Sequence, residues 1–124
     1  MANRMAISLR ALEVIEGSQL TGTVSFRDDV TESASIPTTA EYRVWDLDRN
    51  EMITDWTSLG EPAAQMPILL TPSDTSLESD SDNRRITGSR LRRRSLIVAA
   101  DRGLSTQVID VRHFRVRNAY GVDT

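Results

Sequence analysis

The chain reads as an all-β protein, a single antiparallel β-sandwich of about seven strands. Three observations predict it. Several segments alternate apolar and polar residues at period two, turn residues recur between them, and no segment is convincing as an amphipathic helix. The 124 residues fit one domain with a moderate core.

Residues 1–6 read as an N-terminal arm. Beyond it Ile7, Leu9 and Ala11 alternate as in a strand, while Ile7, Ala11, Val14 and Ile15 could equally stripe a helix. The strands that follow favour a strand with a bulge near Ala11–Leu12. SQLTGTVSFRDD (18–29) sets Leu20, Gly22, Val24 and Phe26 against Thr21, Thr23, Ser25 and Arg27, a half-buried strand. TESASIP (31–37) is a polar loop closed by proline. AEYRVWDL (40–47) sets Ala40, Tyr42 and Val44 against Glu41, Arg43 and Trp45, and EMITDWTSL (51–59) follows after a short turn. MPILLT (66–71) is a short apolar strand, and 72–89 is a long loop, first acidic and then basic. SLIVAAD (95–101) and TQVIDVRHFRVRN (106–118) are the last two strands, joined by a turn at Asp101, Arg102 and Gly103.

Composition narrows the function. The absence of cysteine removes disulfides and thiol chemistry. No apolar run approaches the roughly 20 residues that span a membrane. Ser8 and Arg10 interrupt the apolar segment a signal peptide would need, so an intracellular origin is expected. All 15 basic residues are arginine, the side chain whose planar fork best suits buried or interfacial carboxylates. Residues 1–82 hold 5 arginines and 15 acidic residues, a net of −10, and residues 83–124 hold 10 arginines and 3 aspartates, a net of +7. Parts of opposite sign point to charge pairing, within the fold or between copies.

Asp46, Asp48 and Asn50 in DLDRN are spaced like the start of a calcium loop. That loop needs glycine at its sixth position and a bidentate glutamate at its twelfth, where this chain has Glu51 and Thr57. A hairpin turn is the better reading, and no metal or cofactor is expected. His113 is the single histidine; flanked by arginines in an alternating strand, it reads as a surface residue. Neither a nucleophile elbow nor a glycine-rich phosphate loop is present, so no catalytic residue is assigned.

The densest local signal is NRRITGSRLRRR (83–94). Nucleic-acid binding would need a basic footprint and interleaved aromatics, whereas this run follows ESDSD (78–82) in a chain of net charge −3. Contact with acidic groups, either ESDSD or those of a neighbouring chain, is the expectation, and the candidate partner-binding residues are Arg84, Arg85, Arg90, Arg92, Arg93 and Arg94. As a strand, the run would place Arg90, Arg92 and Arg94 in one stripe. Trp45 joins this candidate set, because aromatics and arginine are enriched at interface hot spots. At least one of Trp45 and Trp56 is expected in the core.

The run PTTAEYRVWDL, its turn and ITDWTSL look like the middle of an immunoglobulin or fibronectin-III-like domain. ILLTPSDTSLES, RRRSLIVAADRG and VIDVRHFRVRNAYGV resemble small β-sandwich proteins of tailed-bacteriophage virions, and the likeness covers most of residues 20–122. It implies a non-enzymatic virion subunit: a head decoration protein, a head-to-tail adaptor or a tail component. Such a subunit binds its own copies or other virion proteins, without membrane or nucleic acid, and is assembled in the host cytoplasm. The alternative is an adhesive module for a host receptor or carbohydrate, which would want an exposed aromatic platform.

Overall fold

A computed structural model describes residues 4–77 and 91–117. Eight strands lie within them: β1 (Arg4–Leu9), β2 (Glu13–Ile15), β3 (Leu20–Arg27), β4 (Ala40–Asp46), β5 (Glu51–Ser58), β6 (Gln65–Leu70), β7 (Leu91–Ala100) and β8 (Val108–Arg117). They form two sheets, β1-β3-β6 and β2-β8-β7-β4-β5. No helix occurs among the described residues, and so none there is long and apolar enough to cross a membrane.

The first segment departs from expectation. Residues 4–6, expected in the arm, belong to β1, because Arg4 already pairs with Arg27 at its start, and residues 1–3 lie outside the described residues. The bulge near Ala11–Leu12 is instead a break at which the chain changes sheets. β1 runs antiparallel to β3, and β2 runs parallel to the end of β8, from Glu13 opposite Arg115 to Ile15 opposite Arg117. The sandwich is therefore not wholly antiparallel. Gly22 permits this corner: a Cβ there would lie 2.4 Å from the Ser8 carbonyl oxygen, too close for any side chain.

Alternation explains the core. Leu20, Val24 and Phe26 of β3 and Met66, Ile68 and Leu70 of β6 point inward from the small sheet. Ala40, Tyr42 and Val44 of β4, Leu96, Val98 and Ala100 of β7, and Phe114 and Val116 of β8 meet them from the large one. Pro67 is accommodated because β6 is an edge strand, where a missing N–H need not cost a ladder bond. Leu77, in the segment after β6, is also buried, so the long loop begins by packing on the core. Residues 78–89 of that loop lie outside the described residues.

Asp101 closes the end of β7. Its carboxylate accepts the N–H groups of Thr38 (2.6 Å) and Thr39 (3.1 Å) and the Thr106 hydroxyl (2.8 Å). Burial raises this carboxyl's pKa, but the bonds from Thr106, Thr39 and Thr38 outweigh it, and the net position is below the ordinary value. A depressed carboxyl pKa contributes stability that is present above the unfolded-state value, about 4, and is lost as pH falls through the folded one. Asp101→Asn is therefore expected to be less stable than wild type at neutral pH, and the gap should narrow on acidification. Urea midpoints at pH 7 and pH 3 check this, and an unchanged gap contradicts it.

Candidate interaction surface

The arginine run enters β7, and the register of β7 on β4 decides what its members do. Asp46 lies opposite Arg94. Both share the inward parity of their strands, and each side chain is 1% exposed. The Arg94 Nε donates to Asp46 Oδ2 at 3.2 Å, and its two terminal nitrogens donate to the carbonyls of Asp74 and Ser76, both at 2.7 Å. Arg94 thus braces β7 against β4 and the segment after β6. Burial lowers its pKa from the ordinary arginine value, while the bond to Asp46 opposes that shift.

Beside it, Asp74 is buried and accepts the hydroxyls of Tyr42 (3.3 Å), Thr71 (3.2 Å) and Thr54 and the Thr71 N–H (2.8 Å). Burial first, and then the Asp74 charge, push the Tyr42 phenol up. The group is a satisfied polar brace inside one end of the sandwich.

Arg93 faces outward and pairs with Asp48 through its Nε and a terminal nitrogen, both at 3.0 Å, while its N–H donates to the same carboxylate at 2.6 Å. That N–H, and then the Arg93 guanidinium against the effect of burial, hold Asp48 below the ordinary carboxylate range. Asp46 also accepts the Arg49 N–H at 2.9 Å, and Asn50 has φ of 52°. DLDRN is accordingly the turn between β4 and β5, with its carboxylates committed to arginines. Among the described residues no three metal-ligating side chains converge.

One member of the expected partner-binding set, Arg94, is therefore corrected. Arg94 is inside and cannot meet a partner. Arg93 is exposed but bound to Asp48, and Arg92 is half-buried. Arg84, Arg85 and Arg90 lie outside the described residues. The charge split is also used within the fold. Arg93–Asp48, Arg94–Asp46, Arg102–Glu41, Arg115–Glu13 and Arg117–Glu13 all join the basic part to the acidic part.

A different surface emerges on the outer face of the five-stranded sheet. Neither tryptophan is in the core; Trp45 and Trp56 are both half-buried on this face. The Arg43 guanidinium lies 5.7 Å from the Trp45 ring centroid and 5.5 Å from that of Trp56, and Arg102 lies 4.8 Å from Trp56. These are cation–π distances. Register shifts on either side of Val44 in the β4–β5 pairing accompany the arrangement. Arg43 Nε is buried without a hydrogen-bond partner, and Asp55 approaches it at 3.9 Å. Glu41 holds Arg102 at 3.1 Å.

Cross-strand neighbours extend the face. Arg43 is opposite Ile97, which is opposite Val111, and Ala99 is opposite Ile109. Ile109 is 48% exposed, Val111 43% and Met52 43%, so apolar side chains border the arginine–tryptophan stack. His113 is on the surface as expected, and its Nδ1 lies 3.0 Å from Ser95 Oγ. Ser95 is only 4% exposed, so this hydroxyl is covered rather than presented to a substrate.

An open cleft of about 710 Å³ begins beside Met52 and extends to Glu16, Pro72 and Ser76. No protein-family model matches the chain, and no curated protein matches it either.

Proposed function

We propose that the chain is a non-enzymatic structural protein of a tailed-phage virion, of the immunoglobulin or fibronectin-III-like type. It is held in the particle by the outer face of its five-stranded sheet, which seats against another virion protein. The strand orders β1-β3-β6 and β2-β8-β7-β4-β5, with the first segment shared between the sheets, support the fold type. The observation that carries the role is Arg43 over Trp45 and Trp56, bordered by Ile97, Val111 and Ile109. A patch of exposed apolar side chains with aromatics and arginine at its centre has the composition of a protein contact.

The adhesive alternative gains from the same tryptophans, which stand outside the core where a sugar-binding platform would be. What favours a protein partner is that guanidinium groups already lie over these rings, occupying faces on which a sugar would stack.

Two arms test the reading. Trp45→Ala and Arg43→Glu are expected to reduce incorporation of the chain into purified particles by about 10-fold or more, with circular dichroism unchanged. Wild-type domain titrated with glycans should show no binding. Normal incorporation of both variants, or glycan binding abolished by Trp45→Ala, would overturn the proposal.

A further inference from the structure

We infer that the chain pairs with a second copy of itself along the free edge of β8, antiparallel and centred on Val111. This deepens the proposed structural role and rests on it for its purpose, but its geometry stands on β8 alone.

β2 covers only the end of β8, at Arg115–Arg117. There Arg115 N–H donates to the Leu12 carbonyl at 2.8 Å, and the Arg117 carbonyl accepts the Glu16 N–H at 2.7 Å. The odd-numbered residues therefore turn their backbone groups toward this edge. Alternation along the strand sends those of Ile109, Val111 and His113 the same way, and among the described residues no strand is hydrogen-bonded to them, although β1 of the other sheet also comes close to β8. Residues 109–113 are all exposed. Such an edge is a template for strand pairing.

The sequence of this edge is self-complementary. In an antiparallel pair centred on Val111, Ile109 stands opposite the partner's His113, Val111 opposite the partner's Val111, and Asp110 opposite the partner's Arg112. The two-fold axis makes the charge pair twice. The odd residues then form the hydrogen-bonded pairs, as their backbone directions require. Neighbouring registers fail. Centring on Asp110 sets two aspartates opposite one another, and centring on Arg112 sets two arginines opposite, which is unfavourable in a sheet.

Asp110 also guards the edge in the single copy, since its carboxylate accepts the Val111 N–H at 2.8 Å. Pairing replaces that bond with the carbonyl of the partner's Val111 and releases the carboxylate to the partner's Arg112. The five-stranded sheet then continues across two copies.

Sedimentation of the purified full chain tests this. Wild type is expected to be a dimer. Asp110→Arg and Arg112→Asp should each weaken self-association by about 10-fold or more, because two attractions become two repulsions. An equimolar mixture of the two variants should form a heterodimer, which no merely structural effect of either change would produce. Val111→Pro removes the edge-facing N–H, which in the single copy is bonded to the Asp110 carboxylate and not to a strand of the sheet, and should be monomeric. A monomeric wild type, single variants that dimerise as wild type does, or a mixture that stays monomeric would each overturn the inference. None of these results bears on the Trp45 and Arg43 incorporation assay, so the two proposals fail separately.

Discussion

Replacing Arg94 with methionine is expected to cost about 3–5 kcal/mol of folding stability. The guanidinium is 1% exposed and contacts Asp46, whose side chain is equally buried. Without it, Asp46 keeps its charge in the interior and, among the described residues, retains the Arg49 N–H, while the carbonyls of Asp74 and Ser76 lose these guanidinium donors. Breaking one side of a buried pair is far more damaging than removing both, because desolvation has already been incurred. Asp46→Leu combined with Arg94→Met should therefore recover part of the loss. Urea unfolding of the single and double variants measures both quantities. A loss below about 1 kcal/mol in Arg94→Met would mean that the guanidinium reaches water. By the same reasoning, an Arg94→Glu change would unfold the domain rather than report on an interface.

Phe26→Ala should be comparably severe, about 3–5 kcal/mol. Phe26 is 1% exposed on the inner side of β3, on the same face as Leu20 and Val24. Its backbone N–H donates to the Ala64 carbonyl at 2.8 Å and its carbonyl accepts the Ser35 N–H at 3.1 Å, and β1 runs along the other edge with Met5 opposite Phe26, so the strand has little freedom to collapse into the space left. Denaturant melts check the value, and a change under about 1 kcal/mol would contradict the placement of β3.

Period-two alternation made most of the strands legible. The stretch 18–29 became β3 at Leu20–Arg27, and 40–47 and 51–59 became β4 and β5 nearly residue for residue. The first segment was not legible, because alternation continues through a change of sheet; only the partners differ, and those are distant in sequence. The inward position of Arg94 was within reach. It shares parity with Leu96, Val98 and Ala100, as Asp46 does with Ala40, Tyr42 and Val44. Arginine and aspartate on two inward faces signal a buried pair, but reading the run as one charged stripe concealed it. Trp45 stood on the outward parity with Glu41 and Arg43, whereas the position of Trp56 depends on an irregular strand pairing that no local pattern announces. The charge split revealed that pairing would occur but not that so much of it would be within one copy.

A reconstruction of the intact particle at side-chain resolution, with this chain located, tests the central claim most directly. The account predicts that Trp45, Arg43 and the β7–β8 part of the outer face lie against a neighbouring virion protein. Particles that lack the chain, or that carry it with this face open to solvent, would contradict it.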